Sequence, residues 1–310
     1  MIGSAVDLES CLAREVTILR ADLRSVSGVT LTGLNRCFSA MSEIIFRHAG
    51  RIDKFAADSL LVLFESEDDL SDGPCRAVSC AVDMQAEIEA LNVLLQAEGE
   101  APIHLGIGIN TARVLSTKLG TDLYTEYDAV GDEVNLASRI ESFSLRGQVL
   151  VSDTTFRRCG GFVKTQEPID VFVKGRSKLV ALREVVSIPS LGKVVPPQDH
   201  RRSPRAAASI PFTYCMVVNG VVVPEKRRGT ILDIGYHGVL AEIELAITAG
   251  SRLQLDFQLP LVDERFRALP GQAVKVIPRD AAARVGIEFP AMSTQQRGAL
   301  QRYVQLLVQP

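Results

Sequence analysis

Tyr127-Asp128-Ala129-Val130-Gly131-Asp132-Glu133-Val134-Asn135-Leu136-Ala137-Ser138-Arg139 sets an acid, an amide and a guanidinium on one short segment that reads as a loop running into a helix. Asp132 can cap that helix, and Asn135 lies in its first turn. Arg139 follows Asn135 by four residues, so both side chains share a face. Val134, Leu136 and Ala137 supply the packing side. A face with an amide and a guanidinium, reached past a glycine, suits a polyphosphate better than a core.

Two upstream segments give this one its meaning. Val16-Thr17-Ile18-Leu19-Arg20-Ala21-Asp22-Leu23 reads as a buried strand ending in an acid. Gly50-Arg51-Ile52-Asp53-Lys54-Phe55-Ala56-Ala57-Asp58-Ser59-Leu60-Leu61-Val62-Leu63-Phe64 reads as a hairpin with a second acid in its turn. In this order and at these intervals, the three segments resemble the catalytic domain of the class III nucleotidyl cyclases, over residues 14 to 185. The resemblance implies a ferredoxin-like α/β sandwich.

Composition is that of an ordinary globular chain: 310 residues, 46% hydrophobic and 23% charged. That length suggests two domains. Residues 1–190 hold 19 Lys and Arg against 27 Asp and Glu, whereas residues 191–310 hold 15 against 10. The sign change marks a boundary, but the basic excess is too mild for a nucleic-acid groove. No apolar run approaches the ~18 residues of a membrane span and no signal-peptide pattern opens the chain, so a cytoplasmic protein is expected. Cys11, Cys37, Cys75, Cys80, Cys159 and Cys215 lack metal-ligand spacing and read as small, mostly buried hydrophobes.

Helical spacing of Leu34, Phe38, Met41 and Ile45 predicts a helix over 30–48, and Ala77, Ala81, Met84, Ile88 and Leu91 predict another over about 74–97. Strand 103–110, a polar arm, helix 132–143 and strand 148–152 follow. A domain over 1–186 is thus expected, then a linker over 187–204 with four prolines and no regular period. The domain over 205–310 shows six short β-rich runs between turn residues and a final helix over about 293–308, which suggests a small antiparallel barrel.

For the first domain, the resemblance implies conversion of ATP to cyclic AMP and pyrophosphate. The ribose 3′-hydroxyl attacks the α-phosphorus, and two Mg²⁺ or Mn²⁺ ions roughly 3.5–4 Å apart activate it and neutralise the triphosphate. Asp22 and Asp58 match the family's metal pair, with the Leu23 carbonyl as a further ligand. Lys54 and Asp128 match the base-reading positions, a donor and an acceptor for adenine N1 and N6. Asn135 and Arg139 match the groups that orient the ribose and stabilise charge at the α-phosphate. Lys174 matches a phosphate-binding lysine, and Arg176 adds a second cation nearby.

In this family the metal pair and the base-reading and transition-state residues come from different protomers, so one chain with all six implies a homodimer with two active sites. The chain departs from the pattern at Arg20, Ser25, Val26, Ala57, Ala112 and Thr117. Where a glycine with positive φ is replaced, the cost is roughly 1 kcal/mol or more.

Arg201-Arg202-Ser203-Pro204-Arg205, with Asp233-Ile234-Gly235-Tyr236-His237-Gly238 further on, resembles the PilZ domain, a receptor for cyclic di-GMP. Arg201 and Arg205 can clamp phosphates and stack on guanine, and Asp233 can accept guanine N–H groups. Gly238 permits close backbone approach, and Gly235 stands where the motif has serine. The whole reads as an adenylate cyclase regulated by cyclic di-GMP. The alternative is a non-catalytic cyclic di-GMP receptor that uses a degenerate cyclase dimer as scaffold.

Overall fold

Strand β1 (Leu12–Arg24) is the spine of the first sheet because its two faces feed two different cores. Leu19, Ala21 and Leu23 join one buried cluster, while Val16 and Ile18 join another with Ala137. That alternation, period two, puts Asp22 on the second face. The computed structural model describes residues 12–24, 28–56, 58–65, 72–121, 124–130, 132–196, 203–244, 247–278 and 282–309, with the backbone alone for 12–14, 114–121, 124–130 and 132. Ser25, Val26, Ala57 and Arg201 lie outside the described residues.

Helix α1 (Leu31–Arg47) starts at Thr30, whose hydroxyl accepts from the Gly33 amide. The hairpin β2 (Arg51–Ala56) and β3 (Ser59–Glu65) follows as expected, then helix α2 (Asp72–Ala97). Strand β4 (His104–Thr121) runs well past the expected residue 110 and folds back as β5 (Tyr124–Val130). The expected polar arm is therefore a ladder. Helix α3 (Asp132–Phe143) has the expected limits.

The remaining elements of the unit are β6 (Val149–Ser152), α4 (Asp153–Cys159), β7 (Lys164–Thr165), β8 (Ile169–Val171), β9 (Val180–Ile188) and β10 (Lys193–Val194). The main sheet order is β10-β9-β6-β4-β1-β3-β2. Met41 and Ile45 of α1 and Met84 and Ile88 of α2 pack on one face, and Ala137 and Val134 of α3 on the other. The sandwich is thus an α/β sheet covered on both sides.

The segment 187–204, expected without regular structure, begins with order instead. Pro189 opens a single 3₁₀ turn, Gly192 closes it at φ 63°, and β10 returns along β9. Lys193 Nζ lies 2.6 Å from Asp83, which also bonds His48 Nε2 at 2.8 Å.

The C-terminal unit comprises Phe172–Lys178 and Arg201–Gln309. Its strands are β11 (Arg205–Val218), β12 (Val221–Val222), β13 (Arg227–Gly235), β14 (Gly238–Ile243), β15 (Arg252–Leu259), β16 (Glu264–Pro278) and β17 (Ala283–Glu288). Six of them close into an antiparallel barrel through β11–β15 pairing, with β12 a short flap beside β11. Phe257 and Phe266 stack in its interior, 4.7 Å between centroids. Helix α5 (Thr294–Val308) starts with a Ser293–Gln296 capping box and buries Leu300, Tyr303 and Val304.

Candidate functional site

The register of β1 against β3 sets Asp22 opposite Ser59, and the Leu23 amide donates to the Asp58 carbonyl at 2.7 Å. The hairpin turn therefore sets Asp58 beside the end of β1, within reach of Asp22 for its charge to act on it. Burial lifts the Asp22 carboxyl above the usual carboxylate range. Arg24 and Arg20 oppose that shift, and the Asp58 charge adds to it. An acid held in this way beside a second carboxylate fits a hard divalent cation. Among the described residues no group of three or more His, Cys, Asp or Glu could hold a metal ion. A cation here would complete its shell with carbonyl, water or substrate oxygens.

Two neighbours escaped the sequence reading. Arg24 Nη1 lies 3.2 Å from Asp22, and its Nη2 donates to the Glu141 carboxylate. Glu141 is pushed up to about 8, chiefly by burial, with Arg24 opposing and Asp22 reinforcing. The close Arg24 contact favours the ionised acid and burial favours the protonated one; with Glu141 only 6% exposed, burial dominates. Arg20, noted only as a departure, donates to Ser59 Oγ at 2.6 Å.

Helix α3 is seated by a glycine. A Cβ on Gly108 of β4 would stand 2.6 Å from Glu141 Cα and 2.7 Å from the Ala137 carbonyl, so only glycine lets the helix lie this close. Asn110, buried in the same strand, donates to the Glu133 carbonyl at 3.1 Å and holds the first turn. Asn135 is then exposed and Arg139 half-buried on this helix. Ala112 pairs with Val16 in extended strand, so the strain expected from its missing glycine does not arise there. Thr117 likewise pairs in the ladder, opposite Asp128.

Lys54 is exposed on β2 at the level of Leu61, Arg20 and Gly108. Asp128, whose side chain lies outside the described residues, is level with Thr117 on β4. Gly108 and Thr117 are separated by about 30 Å of strand. The structure does not bring the two base-reading candidates together. Lys174 is exposed in a tight turn where Gly175 has φ 77° and the Arg176 amide donates to the Val173 carbonyl at 3.0 Å. That turn packs with the C-terminal unit.

In the barrel, Arg205 begins β11 opposite Gly235, and its Nε donates to Asp233 at 2.5 Å. A Cβ on Gly235 would meet Arg205 Cγ at 3.0 Å and the Pro204 carbonyl at 3.2 Å, so the missing serine matches a close-lying arm. Gly238 is required by the barrel itself, because a Cβ there would press on the Ile287 carbonyl.

Cys11 lies outside the described residues; Cys37, Cys80, Cys159 and Cys215 are buried as expected, and Cys75 is half-buried. Burial pushes the Cys37 thiol up to about 12, whereas half-buried Cys75 is lowered to about 7 by a hydrogen bond with Cys159.

The fold is an α/β domain with an acidic corner where β1 meets the β2–β3 turn, followed in the chain by a closed antiparallel barrel. Residues 20–183 match the model of the adenylate and guanylate cyclase catalytic domain, and residues 199–306 match that of the PilZ domain. The chain belongs to the adenylate and guanylate cyclase family and carries a PilZ domain behind the catalytic one. It is 29% identical over 157 residues to adenylate cyclase 1 of Rhizobium meliloti, a match of 50% of this chain but 24% of that protein. The guanylyl cyclase Cya2 superposes with TM-score 0.56 at 33% identity, over 60% of this chain and all of that one. The adenylyl cyclase CyaB of P. aeruginosa superposes with TM-score 0.53 at 28% identity, over 62% of this chain and 97% of its own. Among the described residues no helix is long and apolar enough to cross a membrane.

Proposed function

We propose that the chain is an adenylate cyclase that acts as a homodimer and is regulated by cyclic di-GMP. The observation that carries the catalytic half is the meeting of Asp22 and Asp58 on the sheet face that α3 covers. When bound there, divalent cations such as Mg²⁺ or Mn²⁺ would supply charge neutralisation and a more acidic 3′-hydroxyl. Asp22, Asp58 and the Leu23 carbonyl are the residues that would hold them.

In the reaction a bond forms between the ribose 3′-oxygen and the α-phosphorus while the bond to pyrophosphate breaks, and the hydroxyl proton is released. Arg139 stabilises the charge that grows on the α-phosphate oxygens, and Asn135 orients the ribose. Lys174 and Arg176 receive the outer phosphates. Lys54 and Asp128 are the donor and acceptor that select adenine, which requires the β4–β5 arm to close toward β2. In the barrel, Arg201 and Arg205 would clamp the phosphates of cyclic di-GMP while Asp233 accepts guanine N–H groups.

A second reading, a non-catalytic cyclic di-GMP receptor on a cyclase scaffold, is favoured by one observation. Arg24 already pairs with Asp22 at 3.2 Å, where a metal ion would have to compete. Purified protein given ATP or GTP with Mn²⁺ decides between them. The proposal expects cyclic AMP from ATP at a kcat/KM at least tenfold above that for GTP, altered by saturating cyclic di-GMP. Equal or greater use of GTP would overturn the substrate assignment. No product above an Asp58→Ala control would establish the scaffold reading.

A further inference from the structure

Residues 172–178 answer to both domains. In sequence they fall inside the catalytic-domain match, which runs to residue 183. In packing they belong to the C-terminal unit. Directly after β8 ends at Val171, the Phe172 amide donates to Gln305 Oε1 at 2.9 Å. The Lys174 amide donates to Gln309 Oε1 at 2.6 Å, and Gln309 Nε2 donates back to the Phe172 carbonyl at 2.9 Å. The Arg302 guanidinium sits 5.1 Å from the Phe172 ring centre. Gln305 and Gln309 are 8% and 7% exposed; Gln305 lies in the last turn of α5 and Gln309 caps it, so the C-terminal end of α5 grips the loop main chain. Removing either side chain would strand buried polar groups, which fixes the loop against α5.

Gln305 has a second partner. Its Nε2 donates to the Tyr236 hydroxyl at 3.1 Å. Tyr236 stands in the turn between Asp233 and Gly238, and its amide donates to Ser203 Oγ at 3.3 Å. Ser203 lies between Arg201 and Arg205. A continuous chain of hydrogen bonds therefore joins the arginine arm, the glycine turn, helix α5 and the main chain of the lysine turn.

We propose that residues 172–178 are the output element of the PilZ domain: ligand at the arm and turn shifts Tyr236, Gln305 passes the shift to Phe172, and Lys174 is repositioned toward or away from substrate phosphate. This rests on the reading of the chain as a cyclic di-GMP-regulated adenylate cyclase. It adds a route and names Tyr236, Gln305 and Gln309 as positioning residues that touch neither nucleotide.

The full chain tests it with Gln305→Leu and with Tyr236→Phe, the latter removing a single hydroxyl. With no cyclic di-GMP present, Gln305→Leu is expected to change KM for ATP by about fivefold or more, with kcat within about twofold. Tyr236→Phe is expected to bind cyclic di-GMP within about threefold of the parent, by calorimetry, yet to lose most of its effect on KM. An unchanged KM in a Gln305→Leu protein that melts like the parent would overturn the proposal. So would a full cyclic di-GMP response in Tyr236→Phe. A parent that turns over ATP but binds no cyclic di-GMP would remove the regulator, and the Gln305→Leu KM would still judge the grip. If the parent makes no cyclic nucleotide, affinity for a fluorescent ATP analogue replaces KM in the same comparison.

Discussion

The two nucleotide motifs of this chain handle charge in opposite ways. At the acidic corner burial raises Asp22, Arg24 at 3.2 Å only partly offsets it, and the Asp58 charge adds to the shift. At the barrel mouth Arg205 and Asp233 satisfy each other at 2.5 Å. The first arrangement leaves a buried acid that a further cation would stabilise in its ionised form. The second must be opened before either group can serve a ligand. The difference teaches that a candidate metal site can show as an acid whose burial outweighs its cationic neighbour, whereas a ligand motif can rest as a closed ion pair.

Breaking each site separates them most sharply. Asp58→Asn should lower cyclase activity by about 10²–10³-fold, measured as cyclic AMP formed at saturating ATP and Mn²⁺. Asp233→Asn should weaken cyclic di-GMP binding by about tenfold or more, since it removes a charged acceptor. Calorimetry on the full chain measures the second. Comparable affinity in the variant would mean that the Arg205–Asp233 pair is purely structural.

A finer probe is linkage to pH. Because the folded-state pKa of Asp22 is raised, its contribution to stability is greatest below the unfolded value of 3.8 and is lost as pH rises through the folded one. A bound divalent cation restores stability to the ionised pair. The melting-temperature gain from Mn²⁺ should therefore grow between about pH 4 and pH 8, by a few degrees, and vanish in Asp58→Asn. A gain independent of pH would place the cation elsewhere.

The smallest effect belongs to Gly235→Ser. The restored hydroxyl should tighten cyclic di-GMP binding by about fivefold, provided Arg205 Cγ yields a few tenths of an ångström. Weaker binding would show that the arm cannot move.

Legibility followed how local each signal was. The Asp58 turn, helix α3 and the barrel strands were readable because periodicity and turn residues lie within a few positions of each other. Strand β4 runs past the expected residue 110 because polar residues such as Ser116, Thr117 and Lys118, which read as an arm, pair in a two-stranded ladder with β5. Helix α4 is only seven residues long, too short for a helical period to register. Arg24 and Glu141 are 117 positions apart, and nothing local links them. Gln305 and Gln309 read as ordinary polar residues at a helix end, because a glutamine that grips a distant main chain carries no periodic mark.

One mixing experiment tests most directly whether these residues form a cyclase site shared between two copies of the chain. Asp58→Ala and Arg139→Ala proteins, each nearly inactive alone, are combined under conditions that exchange subunits, and cyclic AMP is measured. The account predicts recovery to about a quarter of parental activity, because half the dimers are mixed and each has one intact site. No recovery despite demonstrated exchange would contradict it.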